Sequence, residues 1–205
     1  MTIEDMIAAV QRSLGINVDG RAGPETWGAI YAAIVSSTPA AETVPAAAPT
    51  EISTVDSRSE KNIATLLPEV QPFARALVQK ASLNGIQITV INGFRTYAEQ
   101  DKLYAQGRTA PGEIVTNATG GFSNHNFAIA FDVGVFEGSK YLPDSAKYKA
   151  VGVLGQELGL EWGGNWKTIV DQPHFQLRPT WATGSEKSLL AELRRRVAER
   201  KPLYA

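Results

Sequence analysis

Residues 36–58 set the first limit on what this chain can fold into. Three prolines (Pro39, Pro45, Pro49), five alanines and eight Ser/Thr fill 16 of these 23 positions. Such a stretch cannot bury enough apolar surface to offset the entropy lost on ordering, and its prolines recur too often for an alanine helix. It reads as an extended linker. A piece of about 35 residues therefore precedes it, too small for a large core of its own, and the sizeable domain must lie after it. With 43% hydrophobic and 20% charged residues the chain has the composition of a protein with a real core. A net charge of −1 supplies no basic field for nucleic acid, so no nucleic-acid partner is expected. No apolar run approaches membrane-spanning length.

The first 35 residues carry two helical patterns. Thr2 and Asp5 form a capping box ahead of Ile3, Met6, Ile7, Val10 and Leu14 on one face, with Gly15 as the stop. Pro24 opens a second pattern through Trp27, Ile30, Tyr31 and Ile34, after a turn at Asp19-Gly20. The segment Leu14-Gly15-Ile16-x-x-Asp19-Gly20-x-x-Gly23-Pro24-x-Thr26 resembles the repeat of peptidoglycan-binding modules. The resemblance covers only the second half of such a module, without its closing Phe-Gln; a plain helical appendage is the alternative.

Residues 59–184 mix element types. Leu67–Ala81 reads as a helix, Ile86–Ile91 as a strand, and Thr96-x-x-Glu99 caps a helix that stops near Gly107. Phe127–Phe136 is a strand, Ser145–Leu158 a helix and His174–Leu177 a short strand. Several strands sit next to turns rather than crossovers, which favours a small α+β fold over a doubly wound sheet. Residues 185–205 finish as a basic amphipathic helix with Leu189, Leu190, Leu193 and Val197 on one side. Packing on the domain and contact with an anionic membrane are its two readings.

The chain has no cysteine and only two histidines, so any metal must be held by imidazole and carboxylate. In Phe127–Val135 the odd positions are large and apolar while the even ones are Ala128, Ala130, Asp132 and Gly134. That alternation leaves one carboxylate, Asp132, over a face of small residues. His125 lies seven residues earlier, an odd separation that one unbroken strand would place on the opposite face. A turn or bulge at Asn124-His125-Asn126 has to bring the two together. His174 opens the last strand, and Asp171 precedes it across Pro173. Three N/O ligands with an open fourth position make a catalytic zinc site, and a nearby unbound acid can take a proton from water. Residue type alone leaves open a solvent-facing Asp132 and ordinary histidines.

Ser123-x-His125, Ala130-x-Asp132 and Asp171-x-x-His174 together resemble the signature of the M15 zinc peptidases. Gly93-Phe94-Arg95-Thr96, the segment from Glu99-Gln100 to Thr109, and Trp162-Gly163-Gly164-Asn165-Trp166-Lys167 resemble that family's phage endolysin branch. The likeness spans roughly 65–178. It implies a zinc-peptidase domain of the Hedgehog/D-Ala-D-Ala-peptidase type, one zinc ion held by His125, Asp132 and His174, Asp171 as general base, Arg95 stabilising the oxyanion and Ser123 seating the substrate. It further implies a bacterial peptidoglycan substrate cut at the L-Ala–D-Glu bond of the stem peptide. A D-Ala-removing carboxypeptidase of the same fold and a non-catalytic wall-binding protein are the alternatives. Met1-Thr2-Ile3-Glu4-Asp5 is acidic where a signal peptide would be basic. The expectation is synthesis in a host cytoplasm, action on the wall after release, and a monomer. The resemblance departs at two points: Ala128 stands where the family has glycine, which predicts an ordinary backbone there, and Asn165 stands where the branch has Asp.

Overall fold

The computed structural model describes residues 2–23, 25–27, 29–30, 33, 54–167 and 169–204. The chain forms two units, Met1–Val44 and Pro45–Ala205. In the first, α1 (Ile3–Leu14) begins at the Thr2/Asp5 capping box and ends on Gly15 at φ 68°. Gln11 is buried and ties the following loop to the helix: its amide nitrogen donates to Asp19, to the Arg21 carbonyl and to Thr26, and its oxygen accepts from the Asp19 and Gly20 N–H groups. Residues 25–27, 29, 30 and 33 are helical; the rest of the predicted second helix and linker positions 36–53 lie outside the described residues.

The second unit starts with a helix that the sequence pattern does not announce, α2 (Ser57–Ile63), which takes residues 57 and 58 of the expected linker into the fold. Its reasons are tertiary. Asp56 caps it through Ser59 N–H, the buried Ser59 hydroxyl accepts from Val90 N–H at 2.9 Å, and Glu60 pairs with Arg75 at 2.8 Å. Next come α3 (Gln71–Leu83), with Pro72 in its first turn, β1 (Gln87–Asn92) and α4 (Tyr97–Ala105), whose Thr96/Glu99 capping box is complete. After a long loop follow β2 (Ala130–Glu137), β3 (Lys140–Tyr141), α5 (Lys147–Glu157), β4 (Glu161–Trp162), β5 (His174–Gln176) and α6 (Glu186–Ala198).

The sheet is antiparallel in the order β1-β2-β5-β4, with β3 added to β2. This is the expected α+β arrangement. Phe131, Val133, Val135, Phe175 and Trp162 join α3 and α5 in the main core. The helix α5 lies close on that face, because a Cβ at Gly155 would meet the Phe175 ring at 2.4 Å. The register sets the other face. Asp132 pairs with Asn92 on one side and His174 on the other, while Gln176 pairs with Ala130 and Glu161. The leucines Leu189, Leu190 and Leu193 of α6 pack with Phe127 and Ile129 in a second apolar cluster. Three of the four apolar residues of that helix face are thus turned into the protein, while Val197 is exposed. No helix among the described residues is long and apolar enough to cross a membrane.

Candidate metal centre

His125 reaches the site through a change of backbone rather than along a strand. Residues Asn124–Phe127 form one 3-10 turn, and Ala128 follows at φ 55°, ψ 25°, in the left-handed region. The expectation of an ordinary conformation at Ala128 is therefore incorrect. This turn supplies the reversal that the odd spacing of His125 and Asp132 demands. Gly93 holds the ring from behind: its carbonyl lies 2.8 Å from His125 Nδ1. A Cβ at Gly93 would sit 2.3 Å from Thr65 Oγ1 and 2.5 Å from the Asn62 carbonyl, so only glycine permits this approach. Because a carbonyl only accepts, Nδ1 carries the proton and Nε2 turns a lone pair inward.

Asp132 and His174 are cross-strand partners on β2 and β5. His125 Nε2, His174 Nδ1 and Asp132 Oδ1 form a nearly equilateral triangle with edges of 3.3, 3.3 and 3.4 Å. Zinc bonds of about 2.0–2.2 Å in tetrahedral geometry give ligand–ligand edges of about 3.3–3.6 Å. Asp132 Oδ1 is buried without a hydrogen-bond partner, while Oδ2 accepts from Asn92 at 3.2 Å. Three donor atoms converging at this distance could hold a metal ion. The donor set fits zinc. Without an ion, burial alone would raise the Asp132 carboxyl, but the two imidazoles outweigh it and hold the group well below its usual range. Burial likewise pushes His174 down, and the Asp132 carboxylate outweighs that and raises it.

The remaining expected residues line the same cavity of about 1070 Å³. Asp171 is held by its N–H on the Gly163 carbonyl at 3.1 Å, and its own carbonyl accepts from His174 N–H. Burial, followed by the charge of Asp132, raises its carboxyl above the ordinary range. The Arg95 guanidinium approaches Asp132 Oδ2 at 4.0 Å and donates to Gln100 Oε1 at 2.8 Å. Ser123 lines the cleft just ahead of the His125 turn. A second hollow of about 790 Å³, beside α3 and β1, contains none of these residues.

Sequence reasoning gave no role to several residues that the structure places around the centre. Gln100 is fully buried and fixes Arg95 from α4. Trp166 packs its ring against His174 at 4.8 Å between centroids and donates to Glu161 at 2.9 Å. Gln176, Glu161 and Asn124 form a polar group behind His174. The alternation His174-Phe175-Gln176 was the available signal, since it sets Gln176 on the same face as His174.

Two imidazoles and one carboxylate on an antiparallel sheet, with a buried acid and an arginine in the same cleft, are the donor set of a metal-dependent hydrolase. The comparisons with known proteins agree with that class. A family profile described as D-alanyl-D-alanine carboxypeptidase, Peptidase M15, matches residues 116–177. The chain is 37% identical over 126 residues to the peptidoglycan L-alanyl-D-glutamate endopeptidase CwlK of Bacillus subtilis, covering 56% of this chain and 74% of that protein. It is 30% identical over 125 residues to the L-alanyl-D-glutamate peptidase of Listeria phage A118, covering 58% of this chain and 41% of the phage protein. Among solved structures it is similar to the L-Ala D-Glu endopeptidase ChiX of Serratia marcescens, with 26% identity, a TM-score of 0.47 and coverage of 60% of this chain and 88% of that one. The chain belongs to the M15 peptidase family.

Proposed function

We propose that this protein is a zinc-dependent peptidoglycan endopeptidase of the phage endolysin type that hydrolyses the L-Ala–D-Glu bond of the stem peptide. The observation that carries the reading is the 3.3–3.4 Å triangle of His125, Asp132 and His174 with its unpartnered buried oxygen. The endopeptidases of Bacillus subtilis and the Listeria phage support the substrate.

His125, Asp132 and His174 would hold one zinc ion, which supplies Lewis acidity toward the scissile carbonyl and acidifies a water molecule. Asp171, whose proton affinity is raised by burial, accepts the water proton and returns it to the departing D-Glu nitrogen. Arg95, aimed by Gln100, stabilises the negative charge that develops on the carbonyl oxygen. Ser123 seats the peptide at the cleft wall, and Trp166 covers one side of His174 against water.

Residues 1–35 act in this reading as a wall-binding module and the part of the linker ahead of α2 as its tether, which raises the enzyme concentration at an insoluble substrate. The protein works as a monomer, after release from the cytoplasm in which it is made. The profile description favours a second reading, removal of a terminal D-Ala. Mass spectrometry of fragments released from purified peptidoglycan separates the two. New amino ends on D-Glu, lost with a chelator and restored by zinc, are expected. Loss of terminal D-Ala alone would move the protein to the carboxypeptidases. Binding to the wall without release would leave a binding protein. His174→Ala and Asp171→Ala are expected to abolish lysis of purified walls, and parental rates in either would overturn the mechanism.

A further inference from the structure

We propose that Gln176 is a positioning residue: its side-chain carbonyl fixes the tautomer of His174, and Glu161 and Asn124 hold that carbonyl in place. The inference rests on the zinc reading above. Gln176 is fully buried, two residues along β5 from His174 and on the same face. His174 Nε2 lies 3.0 Å from Gln176 Oε1. An amide oxygen only accepts, so Nε2 carries the proton and Nδ1, the atom in the ligand triangle, presents its lone pair.

The amide itself has one workable orientation. Its nitrogen donates to Glu161 Oε2 at 3.1 Å, and its oxygen also accepts from Asn124 Nδ2. Turned over, it would set its NH2 against the donors of Asn124 and His174 and its oxygen against a carboxylate. Glu161 is anchored in turn: Trp166 donates to one oxygen at 2.9 Å and Arg178 to the other at 2.9 Å. Arg178 reaches on to Glu186 at 3.2 Å, in the first turn of α6, and Asn124 donates to that same carboxylate. A chain of hydrogen bonds thus runs from the metal ligand to the C-terminal helix. Within it Gln176 and Glu161 have both ends of their side chains bonded, while Asn124 spends its Nδ2 on Gln176 and Glu186 and keeps its Oδ1 buried without a partner.

The chain has two histidines, so their ring nitrogens are resolved by 15N NMR once His125→Ala marks one of them. In the zinc-loaded parent, His174 is expected to carry a slowly exchanging proton on Nε2. Gln176→Met keeps the volume and removes both polar groups. Competition with a chromophoric chelator should then show zinc affinity lowered about 10- to 100-fold, with faster exchange of that proton. Gln176→Glu keeps an acceptor facing His174, and its second oxygen, protonated, can donate to Glu161 as the amide nitrogen does, so most of the affinity should return. A His174 proton on Nδ1 in the parent would overturn the inference. So would zinc affinity within twofold of parental in folded Gln176→Met. Should Gln176→Met fail to fold, Gln176→Glu and the parental NMR decide. A parent that binds no zinc would refute the zinc reading itself, a result distinct from either.

Discussion

Gly163→Ala is the substitution that disturbs the proposed chemistry without touching a reacting group. Gly163 has no positive φ, so alanine meets no backbone penalty there, and the effect is one of space. The new Cβ would lie 2.6 Å from the Asp171 carbonyl oxygen, 3.0 Å from His174 Cβ and 3.2 Å from Asp171 Cβ. The first contact falls about 0.8 Å short of ordinary van der Waals separation. The segment 171–174 must move by most of that distance, because Asp171 N–H is bonded to the Gly163 carbonyl and the Asp171 carbonyl to His174 N–H. Overpacking of this kind costs about 1–3 kcal/mol of stability. A displacement near 1 Å at a catalytic group can lower a rate about 100-fold. The assay is release of D-Glu amino ends from purified peptidoglycan, run beside chelator competition for zinc. The expected result is kcat down by about 10- to 100-fold together with weaker zinc binding. Gly138→Ala is the control: Gly138 sits at φ 59° with nothing within 4 Å, so stability should fall while kcat holds. Parental turnover and zinc affinity in Gly163→Ala would refute the claim that this glycine positions the 171–174 segment.

Asp171→Asn should abolish turnover yet raise the melting temperature of the metal-free protein at neutral pH. The folded state raises the Asp171 pKa, so its ionised form destabilises the fold above the unfolded value, and the advantage of Asn should shrink as pH falls toward 4. Melts at pH 4 and 7 check this, and an equal difference at both would contradict it. Zinc at about 100 times its Kd should stabilise the metal-free protein by about 2.7 kcal/mol. For a chain of this size that is roughly 5–11 °C in Tm, reversed by chelator. Leu193→Ala removes a fully buried side chain of α6 and should cost about 2–5 kcal/mol in urea denaturation; a loss under 1 kcal/mol would argue that α6 is dispensable to the fold.

The candidate metal donors were legible because histidine is scarce and cysteine absent, which left few residues able to do this chemistry. The strand alternation also fixed the face of Asp132, and the odd separation from His125 demanded a turn, which the structure supplies at Asn124–Phe127. The shell behind those donors was legible only in the alternation that sets Gln176 on the face of His174. Gln176, Glu161 and Asn92 gain their meaning from the register of β5 against β4 and of β1 against β2, and register is a property of the assembled sheet. The helix α2 was missed for a similar reason. Ser57–Ile63 has no apolar periodicity, and its stability comes from Ser59 on β1 and Glu60 on Arg75.

Ala128 shows how the parts depend on one another. An alanine in the left-handed region costs about 1–2 kcal/mol, and such a conformation persists only where its surroundings over-determine it. Those surroundings are present on every side. The Ala128 carbonyl accepts from Leu67 N–H at 3.0 Å, and its own N–H reaches the His125 carbonyl. Phe127 and Ile129, directly before and after it, are buried against Leu189, Leu190 and Leu193 of α6. Arg194 of the same helix donates to the Gly121 carbonyl and covers the Phe122 ring, fixing the loop that leads into Ser123. Glu186 closes the polar network behind His174. The C-terminal helix thus acts on both histidines, through apolar packing at the turn that aims His125 and through hydrogen bonds behind His174. Drawing it away to a membrane would release the strained turn and the His174 network together, so its position in the fold and the geometry of the site stand or fall as one.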